Sequence, residues 1–189
     1  MKKILSLFVA TLFVVGTFAQ TEWKVDPYHS SLNFDIGHNG ISIVNGKFLE
    51  YEGNLTTDGE GLENAVFDFV VDVSSINTNV EPRDNHLRSA DFFEVEKYPN
   101  MTFKSTKLET TDKEDEYLLH GKLTIKDVTK DVVFNVKYGG IAKNDKGQKL
   151  GLKATTTLNR FDYNVNYDPT STTIARDVNL IIHLQFGDH

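Results

Sequence analysis

Alternation of apolar and polar residues is the dominant feature of this sequence from about Ser30 onward. Near the end of the chain, Val178, Leu180 and Ile182 share one parity, while the polar Asn179 and His183 lie at the opposite parity. A period of two is typical of a β-strand with one buried and one solvated face, whereas a helix repeats about every 3.6 residues. The pattern therefore predicts a protein built mainly from strands.

Eight segments carry the alternating pattern, and most of the links between them are short and rich in turn-forming residues. The segments are about 29 to 38, 45 to 58, 63 to 74, 99 to 110, 116 to 126, 129 to 142, 148 to 161 and 176 to 187. Short turns favour antiparallel neighbours. Strands of about ten or more residues, spanning about 33 Å, favour a closed barrel, and a β-sandwich is the alternative.

One long link, 75–98, has the pattern of a helix. Pro82 at an early helical position and Leu87, Ala90 and Phe93 at helical spacing predict a short helix there. The predicted fold is therefore all-β: an eight-stranded antiparallel barrel with a short helix between the third and fourth strands.

The start of the chain has the three parts of a secretory signal peptide. A basic start is followed by an apolar run over residues 4–15 and by a small-x-small exit that ends at Ala19. The run is short for a transmembrane helix, and an uncleaved anchor is the alternative. We predict a signal peptide over 1–19, one barrel domain over 20–189, a periplasmic or secreted location, and no stable membrane insertion.

Net charge and cysteine content exclude several functions. The net charge is −7, and removal of the two lysines of the signal peptide would make it −9. Nucleic-acid binders usually carry a basic excess, so no nucleic-acid partner is expected. The chain has no Cys, its six His show no metal-binding spacing, and it carries no phosphate-binding or nucleophile motif. We therefore predict no metal, no cofactor and no catalytic residue.

Five basic or titratable residues are expected to meet at one end of the barrel. His38 ends the first strand, Arg160 ends the seventh and Arg176 begins the eighth, each in parity with apolar residues. The helix lies over the same mouth, because the third strand ends there, and it contributes Arg83 and His86. Arginine forms forked hydrogen bonds with phosphate and carboxylate groups. We therefore predict that these five residues bind the polar or anionic head of an amphiphile.

Internal ion pairs are the alternative explanation of this rim, since inward-pointing charges in a protein are usually paired. The candidate pairs are Arg160 with Asp162, Arg176 with Asp177 or Asp168, and Arg83 with Asp84.

The inward parity also predicts an apolar lining for the barrel. Its residues are Phe34, Ile36, Phe67, Phe69, Val71, Phe103, Leu123, Phe134, Leu152, Leu180 and Ile182. Burying about ten carbons of a tail releases about 8 kcal/mol, whereas association costs about 4 to 15 kcal/mol. Firm retention therefore needs a tail of about twenty carbons or more. The alternative is that the aromatic residues fill the barrel and leave no cavity.

The assembled motifs resemble the YceI-like, polyisoprenoid-binding family of bacterial periplasmic proteins. The most specific match is the run Arg83-Asp84-Asn85-His86-Leu87-Arg88-Ser89-Ala90-Asp91-Phe92-Phe93 followed by Tyr98-Pro99-Asn100-Met101-Thr102-Phe103. Segments 25–34, 45–48, 75–78 and 121–130 extend the resemblance over essentially the whole mature chain. The resemblance implies a lipocalin-like barrel, often a homodimer, that holds a long isoprenoid or a similar amphiphile in its interior.

The sequence therefore predicts a binding or carrier protein for a long-chain amphiphilic lipid. A polyisoprenoid, either quinone-like or a prenyl phosphate, is the ligand that the resemblance implies. Two alternatives stay open. One is an accessory or stress-response interaction module with a filled core. The other is an isomerase or hydrolase that uses His38 or His86 as acid or base.

Overall fold

The computed structural model describes residues 20–59, 61–62, 64–145 and 147–188. The segment predicted to be a signal peptide lies outside the described residues. The strands are β1 (Thr21–Val25), β2 (Ser31–His38), β3 (Ser42–Phe48), β4 (Tyr51–Thr57), β5 (Val66–Asp72), β6 (Ile76–Asn77), β7 (Asn100–Thr110), β8 (Glu116–Ile125), β9 (Val128–Asn144), β10 (Gly147–Asn159) and β11 (Ile174–Asp188). The α-helix, α1, spans Glu81–Arg88, and short 3-10 turns span Val73–Ser75 and Arg160–Tyr163.

Eight strands form a closed antiparallel ring in the order β1, β4, β5, β7, β8, β9, β10 and β11, and β1 pairs with β11 to complete it. At one end the wall is extended by β2, which pairs with β11, and by β3, which pairs with β2 and β6. The predicted eight-stranded barrel with one short helix is therefore confirmed, and the sandwich is excluded.

The first part of the chain differs from the predicted strands at two places. The predicted strand 45–58 is divided into β3 and β4, where the backbone amides of Leu49 and Glu50 donate to Oγ of Ser75 at 3.1 and 3.0 Å. The unpredicted β1 precedes β2, and these two strands pair with successive parts of β11. With one buried residue, Trp23, β1 is too short to show alternation.

The hydrophobic core fills the end of the barrel that carries the β4–β5 and β9–β10 hairpins. Trp23, Leu55, Leu150 and Phe186 are fully buried there. The indole Nε1 of Trp23 donates to Oγ1 of Thr57 at 3.0 Å, so the one polar atom of this ring is paired. The opposite end, where β2 turns into β3 and α1 follows β6, contains the cavity described below.

Candidate ligand-binding cavity

An apolar cavity of about 640 Å³ occupies the half of the barrel next to α1. Strands β2, β3, β5, β7, β8, β9, β10 and β11 contribute its wall, and α1 and the 160–173 link cover its open end. All eleven residues predicted as apolar lining lie on this wall: Phe34, Ile36, Phe67, Phe69, Val71, Phe103, Leu123, Phe134, Leu152, Leu180 and Ile182. The contact of these residues with a ligand stays a prediction. The alternative of a completely filled barrel does not hold, because side chains fill only one end of it.

Inward-facing glycines keep three of the lining rings flat against the wall. A Cβ added to Gly46 or Gly53 would lie 2.2 Å from a ring carbon on the neighbouring strand, whereas non-bonded carbons approach to about 3.5 Å. The pairs are Phe34 over Gly46, Phe69 over Gly53 and Phe103 over Gly121. Each ring lies where a side chain would otherwise be, so the centre of the barrel stays open.

Four of the five predicted rim residues, His38, Arg83, His86 and Arg160, line the open end of the cavity. The inward position predicted for Arg176 is wrong, because this side chain is exposed and lies outside the cavity. The pairing of β11 with β2 shifts register between residues 174 and 178. Strand parity does not extend across such an irregularity.

Arg160 has a structural role that excludes the predicted binding of a head group. It is 5% exposed, and all five N–H groups of its guanidinium donate to backbone carbonyls. The acceptors are Ala175 at 2.9 Å from Nε, Val165 and Tyr167 at 2.7 and 2.5 Å from Nη1, and Asp168 and Ile174 at 3.0 and 3.2 Å from Nη2. Burial lowers the pKa of this guanidinium, and the negative charge of nearby Asp168 acts in the opposite direction and raises it. Arg160 therefore holds the 160–173 link over the cavity and has no donor left for a ligand.

Arg83 is the arginine whose geometry suits a head group. Its Nε donates to Oγ1 of Thr78 at 2.7 Å and its Nη2 donates to the Thr78 carbonyl at 3.0 Å, while Nη1 makes no hydrogen bond within the described residues. Buried Asp84 accepts from the Thr78 amide at 2.9 Å and from Oγ1 at 2.5 Å. Because Thr78 lies between them, the alternative Arg83–Asp84 ion pair is not formed. The guanidinium is thus fixed at the opening with donors to spare.

A three-ring cluster joins α1 to the 160–173 link across the opening. The ring centroid of His86 lies 5.0 Å from Phe92 and 4.9 Å from Tyr167, which lie 4.7 Å from each other. Nε2 of His86 is also 2.9 Å from Oδ2 of Asp91. His38 differs, because its imidazole makes no hydrogen bond in the described part of the chain. His86 is thus a contact within the cover of the cavity, and His38 is free to meet a ligand.

Strand parity missed the residues that irregular segments contribute to the cavity. They include Phe92 and Phe93 after α1 and Tyr163 and Tyr167 in the 160–173 link. Tyr163 is 2% exposed and its hydroxyl has no partner among the described atoms. Burial, with a smaller effect of Asp162, raises the pKa of Tyr163 to about 12. The sequence signal for Tyr163 was its position three residues after Arg160, but no period-two pattern extends into a 3-10 turn.

The described residues show two further absences. In residues 20–59, 61–62, 64–145 and 147–188, no three His, Cys, Asp or Glu side chains are grouped so that they could hold a metal ion. None of the helices in these same ranges has the length and apolar character needed to cross a membrane.

A closed antiparallel barrel with one packed end and one apolar cavity belongs to the class of β-barrels that enclose a small ligand. Comparison with known proteins identifies the family within that class. The family model described as the YceI-like domain matches residues 23–186, and the chain therefore belongs to the YceI-like family.

Relatives of known sequence and structure agree with this assignment. The chain is 33% identical to the protein YceI of Salmonella agona over 183 aligned residues. The aligned region covers 94% of this chain and 93% of the relative. The crystal structure of the Campylobacter jejuni YCEI protein matches with a TM-score of 0.70 and 31% identity, over 79% of this chain and 86% of that one. A polyisoprenoid binding domain from Saccharophagus degradans, implicated in plant cell wall breakdown, matches with a TM-score of 0.72 over 88% of this chain and 98% of that one. At 15% identity, this last similarity shows the fold alone.

Proposed function

We propose that this protein is a carrier that binds a long-chain amphiphilic lipid inside the barrel. Among such lipids, we propose a polyisoprenoid as the ligand. The observation that supports this proposal is the apolar cavity of about 640 Å³. At about 30 Å³ per carbon-sized group, it has room for about twenty carbons. Burying that many carbons releases about 16 kcal/mol, which exceeds the association cost of about 4 to 15 kcal/mol. A shorter tail would be held weakly.

The head of the ligand lies at the open end in this proposal. Arg83 has free N–H groups there, and His38 lies on the same part of the cavity wall. A polyisoprenoid is favoured among lipids because a solved structure with the same fold is a polyisoprenoid binding domain. The predicted signal peptide supports a periplasmic or secreted location, and the homodimer stays a prediction of the family resemblance.

A carrier is a better account of the cavity than an enzyme. General acid–base catalysis needs a proton-transferring group held within hydrogen-bond reach of its partner. His38 has no such partner in the described residues, and the partner of His86 is Asp91 in the cover of the cavity. The cavity wall is otherwise almost entirely apolar.

Binding of prenyl alcohols of increasing length to the delipidated full-length protein tests the proposal. Affinity should rise with each isoprene unit until about twenty carbons are buried, and then level off. In Ala154→Phe, a ring enters the cavity from β10 and should weaken binding. The matched control is Thr155→Phe, because the next residue lies on the outer face of the same strand. Affinity that does not depend on tail length, or equal loss in both variants, would contradict the proposal.

The head-group contact has its own test with two arginines. Arg83→Gln should weaken binding of a prenyl diphosphate more than binding of the prenyl alcohol of equal length, because charge-assisted hydrogen bonds are lost. Arg176→Gln is the control, since Arg176 is exposed and lies outside the cavity. Equal effects of the two variants on the diphosphate would show that Arg83 does not contact the head.

A further inference from the structure

Exposed apolar side chains gather around the opening of the cavity. Ile41, at the tip of the β2–β3 hairpin, is 89% exposed, and Ile43 on β3 is 58% exposed. Val80, just before α1, and Tyr167, in the 160–173 link, are also exposed. These four residues are called the mouth face below. They come from three separate elements, so their common position is set by the fold and not by one local sequence.

The side chain of Ile41 contributes little to its own turn. The turn is formed by the backbone: Asn39 and Gly40 have φ values of 53° and 68°, and the Ile41 amide donates to the His38 carbonyl at 3.2 Å. The Asn39 amide also donates to the carbonyl of Thr173 at 2.7 Å, which fixes the hairpin against the 160–173 link. A polar residue would suit this tip equally well. An apolar side chain held in water beside a cavity indicates an apolar contact outside the molecule.

The mouth face is continuous with the cavity wall. Val80 and Tyr167 belong to both surfaces, and Pro82, Val44 and Ile174 continue the apolar lining inward. An apolar tail can therefore pass from outside the protein to the lining over these apolar side chains, beside the polar rim residues His38 and Arg83.

From this continuity we infer that the mouth face docks on the surface of a phospholipid bilayer, from which the apolar ligand enters the cavity. The inference rests on the proposed function, since it adds the source of the ligand. A second copy of the chain on this face would cover the opening, whereas a bilayer both covers the apolar side chains and supplies a long-tailed lipid. Arg176 and the acidic Glu81 and Asp177 are exposed at the same end of the barrel. Because these charges are mixed in sign, the contact is mainly apolar and depends little on salt.

Transfer of a fluorescent prenyl alcohol from phosphatidylcholine vesicles to the full-length protein tests the inference. In a docking mechanism the transfer rate rises with vesicle concentration. The double variant Ile41→Ser/Ile43→Ser should slow transfer about tenfold or more, because less apolar surface meets the bilayer. Neither residue lines the cavity, so affinity for the same probe in detergent should be unchanged. The control Val66→Ser/Val133→Ser removes two valines, 48% and 41% exposed, from the outer barrel wall and should leave both quantities unchanged.

Three results would overturn the inference. They are a transfer rate independent of vesicle concentration, equal slowing in the mouth-face and control variants, and conversion of a dimer to a monomer by Ile41→Ser/Ile43→Ser, which would assign this face to a second copy. Failure of the wild-type protein to bind the detergent-solubilised probe is a different result, because it would refute the proposed function itself.

Discussion

Replacement of Gly46 by Ala tests whether the open cavity depends on the glycines beneath its rings. A Cβ at Gly46 would lie 2.2 Å from Cζ of Phe34, 2.6 Å from Cε1 and 2.8 Å from Cε2. These three atoms are the far end of a side chain that can rotate. The ring is therefore expected to swing off the wall and into the cavity, while the backbone of β3 stays in place.

The expected effect of Gly46→Ala on binding is larger than its expected effect on folding. A ring of six carbons would occupy more than a quarter of a cavity of about 640 Å³ that holds about twenty carbon-sized groups. Displacing three to six methylenes of a bound tail costs about 2 to 5 kcal/mol, which corresponds to about a thirty-fold to several-thousand-fold weaker Kd. Overpacking costs about 1 to 3 kcal/mol of unfolding free energy, and the loss of glycine flexibility in the unfolded chain offsets about 0.4 to 1 kcal/mol of this.

Prenyl alcohol binding and urea unfolding, measured on the same samples, separate these two effects. Gly151→Ala is the matched control, since no atom lies within 4 Å of the Cβ position at Gly151. Gly121→Ala should differ from both, because its Cβ would lie 2.7 Å from the backbone carbonyl oxygen of Lys104 and should destabilise folding more. A folded Gly46→Ala protein that binds the longest prenyl alcohol as tightly as wild type would refute the reasoning.

Three further predictions concern the cover of the cavity. Tyr163→Phe removes a buried hydroxyl that has no partner among the described atoms. Urea unfolding should therefore show an unfolding free energy that is unchanged or higher by up to about 1 kcal/mol. A clear loss of stability would show that the hydroxyl has a hydrogen-bond partner. Arg160→Met removes the donor of five hydrogen bonds to backbone carbonyls, one of them buried and four partly buried, and should lower the unfolding free energy by about 3 kcal/mol or more; a loss below about 1 kcal/mol would contradict its anchoring role. The backbone amides of Ile174 and Thr173 hold the pKa of Asp168 at about 2. The stabilisation from this carboxylate is therefore present above its ordinary pKa and is lost as the pH falls through about 2. Protection of these two amides against hydrogen exchange, relative to the intrinsic rate at each pH, should fall over that range in the wild type and vary less with pH in Asp168→Asn; identical protection profiles would contradict the assignment.

Strand parity was sufficient to locate the cavity wall. In a barrel with one solvated face, a period of two decides which side chains point inward, and this holds even where a predicted boundary is wrong by several residues. Leu152, Leu180 and Ile182 face the cavity although the predicted strands that contain them begin and end at different residues from β10 and β11.

Parity could not predict the open end, because the chain there is not regular. The same rule placed Arg160 and Arg176 together at the rim, yet one is buried under the 160–173 link and the other is exposed. The backbone carbonyls that Arg160 binds are contributed by a segment with no periodic pattern, so their convergence follows from tertiary structure. Thr78 likewise carries no sequence signal for its position between Arg83 and Asp84.

The difference between the two ends of the barrel explains why the cover of the cavity is held by polar groups. At the packed end, burial of apolar side chains stabilises the structure directly. Segments that cover a cavity have few apolar neighbours beneath them, and packing them more tightly would fill the space that a ligand needs. Buried hydrogen bonds supply the missing stabilisation without occupying the cavity: Arg160 holds the 160–173 link, and Asp84 fixes Thr78 before α1. Arg88 adds to this, since Nε and Nη2 donate to the carbonyls of Ser74 and Ile76 at 2.6 and 2.8 Å. Loss of any one of these anchors should therefore loosen the opening before it unfolds the barrel, because the strands beneath are closed by their own backbone hydrogen bonds.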